Sequence, residues 1–104
     1  MIARMATYRS SGDPYDLVKR AEQGILPLFQ DQAGFRAYSI AIDGDDVLSL
    51  SVWESRADAE AGNAVAADWV AENMGGELEL TSTRFVEVLL STSLGVSTSV
   101  GATA

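Results

Sequence analysis

FRAYSIAI-DGDD-VLSLSVW, residues 35–53, is the stretch on which the fold turns. Two short apolar-rich runs flank Asp43-Gly44-Asp45-Asp46. Gly and Asp tolerate positive φ or bond their own backbone, so this linker predicts a β-hairpin. The second arm alternates cleanly, with Leu48, Leu50 and Val52 on one side and Val47, Ser49, Ser51 and Trp53 on the other. The alternation predicts that the leucine side is a core face. The side with hydroxyls and an indole reads either as a cavity lining or as a half-solvated surface.

On the N-terminal side of the hairpin, residues 2–9 (IARMATYR) read as a strand that stops at Ser10-Ser11-Gly12-Asp13-Pro14. Asp13 can cap a following helix, and Pro14 suits its first turn, where a missing N–H costs nothing. Leu17, Val18, Ala21, Ile25, Leu28 and Phe29 recur at helical spacing. Pro27 removes one helical hydrogen bond, which predicts a kink or a second short segment. Gly34 supplies the left-handed residue that ends the helix. On the C-terminal side, Ser55 with Asp58 resembles a capping box and opens an Ala-rich helix to about Met74, with Ala57, Ala61, Val65 and Trp69 as its apolar stripe. Gly75-Gly76 stops it, and residues 77–90 read as a long strand in which Arg84 shares a phase with Leu80, Val86 and Val88.

The order β, α, β, β, α, β, with short connections and right-handed crossovers, predicts an α+β, ferredoxin-like fold: one antiparallel sheet with both helices on one face. Apolar residues in both phases of the strands imply that the other sheet face is also covered, and a second copy of the chain is the simplest cover. Residues 1–90 form this domain. In residues 91–104 (STSLGVSTSVGATA) Leu90, Thr92, Leu94, Val96, Thr98 and Val100 alternate with small polar residues. That pattern predicts a fifth strand at the dimer interface, against the alternative of a flexible tract.

The 104 residues, 47% hydrophobic and 21% charged, match one globular domain. With no Cys and no His, thiol chemistry, thiolate-bound zinc and histidine general bases are excluded. A net charge of −8 argues against nucleic acid and anionic membranes as partners. No apolar run reaches a membrane span and the N-terminus lacks a signal-like apolar segment, so the sequence predicts a cytoplasmic location. Arg4 and Arg84 are charges inside strands, and each reads either as the partner of a carboxylate or as a group facing a cavity.

Ile25-Leu26-Pro27-Leu28-Phe29, then Ala33-Gly34-Phe35-Arg36-Ala37-Tyr38, then Val52-Trp53-Glu54-Ser55 before an Ala-rich helix, resembles the dimeric α/β-barrel superfamily. Within it the chain is most similar to antibiotic biosynthesis monooxygenase-like proteins, over residues 2–90. The resemblance implies two four-stranded sheets closing into a barrel across a homodimer, with a pocket between sheet and helices in each subunit. It also implies a cofactor-independent monooxygenase acting on a small aromatic, quinol-type molecule, with no metal, flavin or other cofactor. The residue types associated with such pockets map onto Asn63, Trp69, Tyr38 and Arg84; an enzyme of this kind would use Asn63 and Arg84 as catalytic residues, with Tyr38, Trp69 and Phe35 as a substrate-binding wall that Trp53, at the end of its strand, can join. Haem-degrading relatives also use a His, which this chain lacks, and the usual Pro before Gly-Phe is Ala33 here. Trp69 also reads as core packing, and a non-catalytic dimeric module that binds a small ligand or serves as a structural unit needs only a pocket and an interface.

Overall fold

The structure is a computed structural model and describes residues 1–97. Six elements follow in order: β1 (Ile2–Ser10), α1 (Pro14–Gln30), β2 (Phe35–Asp43), β3 (Asp46–Trp53), α2 (Arg56–Asn73) and β4 (Leu78–Glu87). The strands form one antiparallel sheet in the order β2-β3-β1-β4. Both helices lie on one face of it, the ferredoxin-like arrangement anticipated from the order of elements. No helix among the described residues is long and apolar enough to cross a membrane.

Local signals act as their chemistry requires. The Asp13 carboxylate accepts from the Tyr15 N–H at 3.1 Å, and the Ser55 hydroxyl accepts from the Asp58 N–H at 3.1 Å, so each helix start satisfies one of its orphan donors. Gly44 and Asp45 form a two-residue turn that brings Asp43 opposite Asp46, with Gly44 at φ 60°. Gly34 has φ 78° between α1 and β2. Helix α1 runs unbroken through Pro27 to Gln30 and no second segment forms. Its buried line is Leu17, Ala21, Ile25 and Phe29, while Leu28 is exposed.

Three features depart from the sequence reading. In β3 the buried side is Val47, Ser49, Ser51 and Trp53, which face the helices, whereas Leu48 is 40% exposed on the outer face. In α2 the buried line is Ala59, Gly62 and Ala66 rather than Ala57 and Ala61, which are exposed. The shift has a packing cause: a side chain at Gly62 would collide with the Trp53 indole, so the helix turns its glycine, not an alanine, onto the largest group of the core. Third, β4 ends at Glu87 and the chain then folds back on itself. Ser91 and Val96 exchange backbone hydrogen bonds of 2.8 and 3.0 Å across a turn with Gly95 at φ 69°. Residues 91–97 are therefore not an extended fifth strand, and the remainder of that expected strand lies outside the described residues.

The interior carries an aromatic cluster. Phe29 meets the rings of Tyr38 at 5.0 Å and Trp53 at 5.3 Å edge-on, and Phe35 meets Trp53 at 5.4 Å. The hydroxyls that share this face are used internally: Trp53 Nε1–H donates to Ser51 Oγ at 2.9 Å, and Ser49 Oγ donates to the Tyr38 hydroxyl at 3.5 Å. A strand side that looks half polar can be a core side because its polar atoms pair with each other.

Candidate functional site

The alternation of β1, which lies between β3 and β4, sends Arg4, Ala6 and Tyr8 toward the helices. Arg4 is 1% exposed, and no carboxylate pairs with it among the described residues. Arg20, Arg36 and Arg56 each hold a carboxylate partner at the surface. Arg4 instead donates from Nε to Asn63 Oδ1 at 2.6 Å and from Nη2 to the Tyr8 hydroxyl at 3.2 Å. Its Nη1 is buried with no partner among the described residues. Burying a cation without a counter-charge is costly, so this position is the least expected in a chain that carries fifteen carboxylate side chains.

Asn63 reaches Arg4 because Gly62, beside it, lets α2 settle onto Trp53. A guanidinium has donors only, so the atom of the Asn63 amide that faces it must be the oxygen. The amide NH2 is thereby turned away from Arg4. Arg4, Tyr8 and Asn63 line a cleft of about 230 Å³ between α2, β1 and β4, whose other walls include Ala67, Val70, Leu78 and Leu80. The cleft thus combines a buried cation and an oriented amide with aliphatic walls, a composition that suits a mainly apolar molecule bearing one oxygen with negative charge.

A separate cavity of about 30 Å³ lies deeper in the interior, lined in part by Tyr38, Ser49, Trp69 and Met74. It has room for water and none for an aromatic ring system. The Tyr38 phenol lines it; burial pushes its pKa above the usual value, an effect partly offset by the Ser49 hydrogen bond and by the positive charge of Arg4. Tyr38 is therefore a neutral phenol at physiological pH.

Of the six site residues read from the sequence, only Asn63 lies in the cleft. Arg84 is not brought to it. An extra residue in β4 opposite the Thr7–Tyr8 step resets the alternation: Thr7 pairs with Ser82 but Tyr8 with Leu80. Beyond that bulge Phe85 takes the helix side opposite Arg4, while Arg84 lies opposite Met5, exposed on the outer face. Trp53 is fully buried and Phe35 packs against the same core cluster, so both are parts of the interior. Tyr38 and Trp69 line the small interior cavity, and the Trp69 indole occupies the space where a side chain on Gly24 would sit. The sequence reading singled out neither Arg4 nor Tyr8 as a partner of Asn63. The available signal was their spacing of four in one strand, which puts both on the same face.

No family model matches the chain, and no curated protein matches it either. Solved structures do. SnoaB, a cofactor-independent oxygenase from Streptomyces nogalater, superposes with a TM-score of 0.69 at 9% identity, over 88% of this chain and 95% of that one. A putative antibiotic biosynthesis monooxygenase from Chloroflexus aurantiacus gives 0.63 at 17% identity, over 90% and 98%. MupZ from Pseudomonas fluorescens gives 0.67 at 10% identity over 81% of this chain, which spans 65% of MupZ. At such identities the likeness is one of fold: this chain has the fold of antibiotic biosynthesis monooxygenase structures.

Proposed function

We propose that the chain is a cofactor-independent monooxygenase for an electron-rich aromatic, quinol-type molecule, working as a homodimer, with its reacting group held in the cleft beside Asn63. The observation that carries this reading is the Arg4–Asn63 pair: a buried cation that fixes an amide so that its NH2 is free to donate at the edge of an apolar cleft. The fold shared with a cofactor-independent oxygenase supports it. In such a reaction an activated ring methylene becomes a carbonyl. One atom of O2 enters the product, the other leaves as water, and the substrate supplies all four electrons. The protein must then bind the ring system and stabilise the deprotonated oxygen of the activated substrate, a task for Asn63 Nδ2 and the positive field of Arg4.

The dimer rests on the outer sheet face, where Met5 is 41% and Leu48 40% exposed beside Leu50 and Ala41. An apolar sheet face of this kind is normally covered.

Following oxygen uptake with a panel of hydroxylated anthrones and flavonols tests the activity. Consumption above buffer that falls at least about tenfold in Asn63→Ala supports the reading. No uptake with any member of the panel overturns it. That result would favour the second reading, a non-catalytic dimeric module; the closed interior lined in part by Tyr38 and Trp69, only about 30 Å³, already argues against an aromatic substrate held between those two residues.

A further inference from the structure

We infer that the cleft is built for an organic carboxylate: its ligand is an apolar carboxylic acid whose carboxylate docks on the Arg4 guanidinium. The inference rests on the reading that this cleft is the ligand site, and it names the chemical group recognised there. Four observations carry it. Arg4 is 99% buried, and none of the described carboxylates neutralises it. Its Nε is engaged by Asn63 at 2.6 Å, which leaves the Nη1–Nη2 edge, covered here by the Tyr8 hydroxyl, as the side with unused donor capacity. On that edge Nη2 has only the long 3.2 Å bond to the Tyr8 hydroxyl, and Nη1 has no partner among the described residues. The remaining walls of the cleft, Ala67, Val70, Ala71, Leu78 and Leu80, offer no charge and no side-chain donor.

Two parallel N–H donors on one guanidinium edge match the two oxygens of a carboxylate, and a monoanion also supplies the missing counter-charge. The carboxylate takes Nη1 and Nη2 together and displaces the Tyr8 hydroxyl, whose bond to Nη2 is the longer of Arg4's two. The apolar part of the acid then lies along the aliphatic walls between α2 and β4. A phosphate dianion fits less well, because the cleft holds one cation and its remaining walls offer no second positive charge for the extra negative one.

The test compares 4-butylbenzoate with its isosteric amide, 4-butylbenzamide, by titration calorimetry on the full-length protein at pH 7. Binding is located by the side-chain NMR signals of Asn63 and of the Arg4 Nε–H. The inference expects the acid to bind at least about tenfold more tightly than the amide, with both signals shifted. It also expects that advantage to vanish in Arg4→Met and to persist in part in Arg4→Lys. Should Arg4→Met not fold, Tyr8→Phe serves instead: removing the competing hydroxyl raises affinity for the acid and leaves that for the amide unchanged. Equal affinity of acid and amide, with the Asn63 signal shifted, overturns the carboxylate assignment and leaves the cleft as the ligand site. An acid preference that survives in Arg4→Met overturns the assignment as well. Absence of any shift at Asn63 with either compound overturns both the assignment and the placing of the site.

Discussion

The two faces of the sheet divide the polar and apolar residues of β3 in an unexpected way. The helix-facing side buries two serines and an indole, and the outer side leaves Leu48 exposed and Leu50 half-buried. The contrast extends to the arginines: Arg4 on the inner side is sealed from solvent, and Arg84 on the outer side is exposed. Hydroxyls and guanidinium groups are tolerated inside where partners meet them, as Trp53 meets Ser51 and Asn63 meets Arg4. Leucines on the outside have no such internal account. They call for a second layer, and the inner face already has the two helices as its own.

The largest expected effect comes from attacking the outer face. Leu48→Glu combined with Leu50→Glu should convert a dimer to a monomer in sedimentation, with a melting temperature that no longer depends on protein concentration. If the wild type is itself monomeric, the contrast between the faces loses its explanation. Next in size is Gly62→Ala on the inner face. The added methyl meets the Trp53 indole, and overpacking of this kind costs about 1–3 kcal/mol, measurable by urea denaturation. Because Asn63 rides on the same helix turn, the variant should also loosen the Arg4 contact. A cost below about 0.5 kcal/mol would mean that the inner face is not closely packed there.

The smallest effect is electrostatic and concerns Tyr38, whose phenol is raised above its ordinary value of 10.0 by burial. The unfolded chain ionises this group first as pH rises. Its contribution to stability is therefore fully present below about pH 10 and is lost as pH climbs through the folded value. Tyr38→Phe should lose less stability than the wild type on the alkaline side of about pH 10, with the two curves parallel at neutral pH. Identical alkaline limbs would show that the inner face leaves this phenol solvated.

Much of the fold was legible because it depends on near neighbours in the chain. The capping aspartate and serine, the Gly44 turn, the glycine after α1 and the order of the six elements each follow from chemistry within a few residues. Of the site, the sequence marked Asn63 and left open whether Arg4 was paired or facing a cavity. What misled was phase. One extra residue in β4 moved Arg84 to the outer face, and a clean alternation in β3 was read with its two sides exchanged.

The amino-acid sequence by itself determined the order of helices and strands and where each helix starts, and that alternating side chains along each strand face opposite ways, since caps, turns and periodicities are settled over three or four residues of chain. Only the tertiary structure decided which side of each strand lies inside. That choice depends on contacts across the chain: the Trp53 indole under Gly62, the bulge of β4 against Thr7, and the amide of Asn63 over Arg4, 59 positions away. A buried polar group is stable when a distant partner meets it, and no local pattern records whether that partner will arrive.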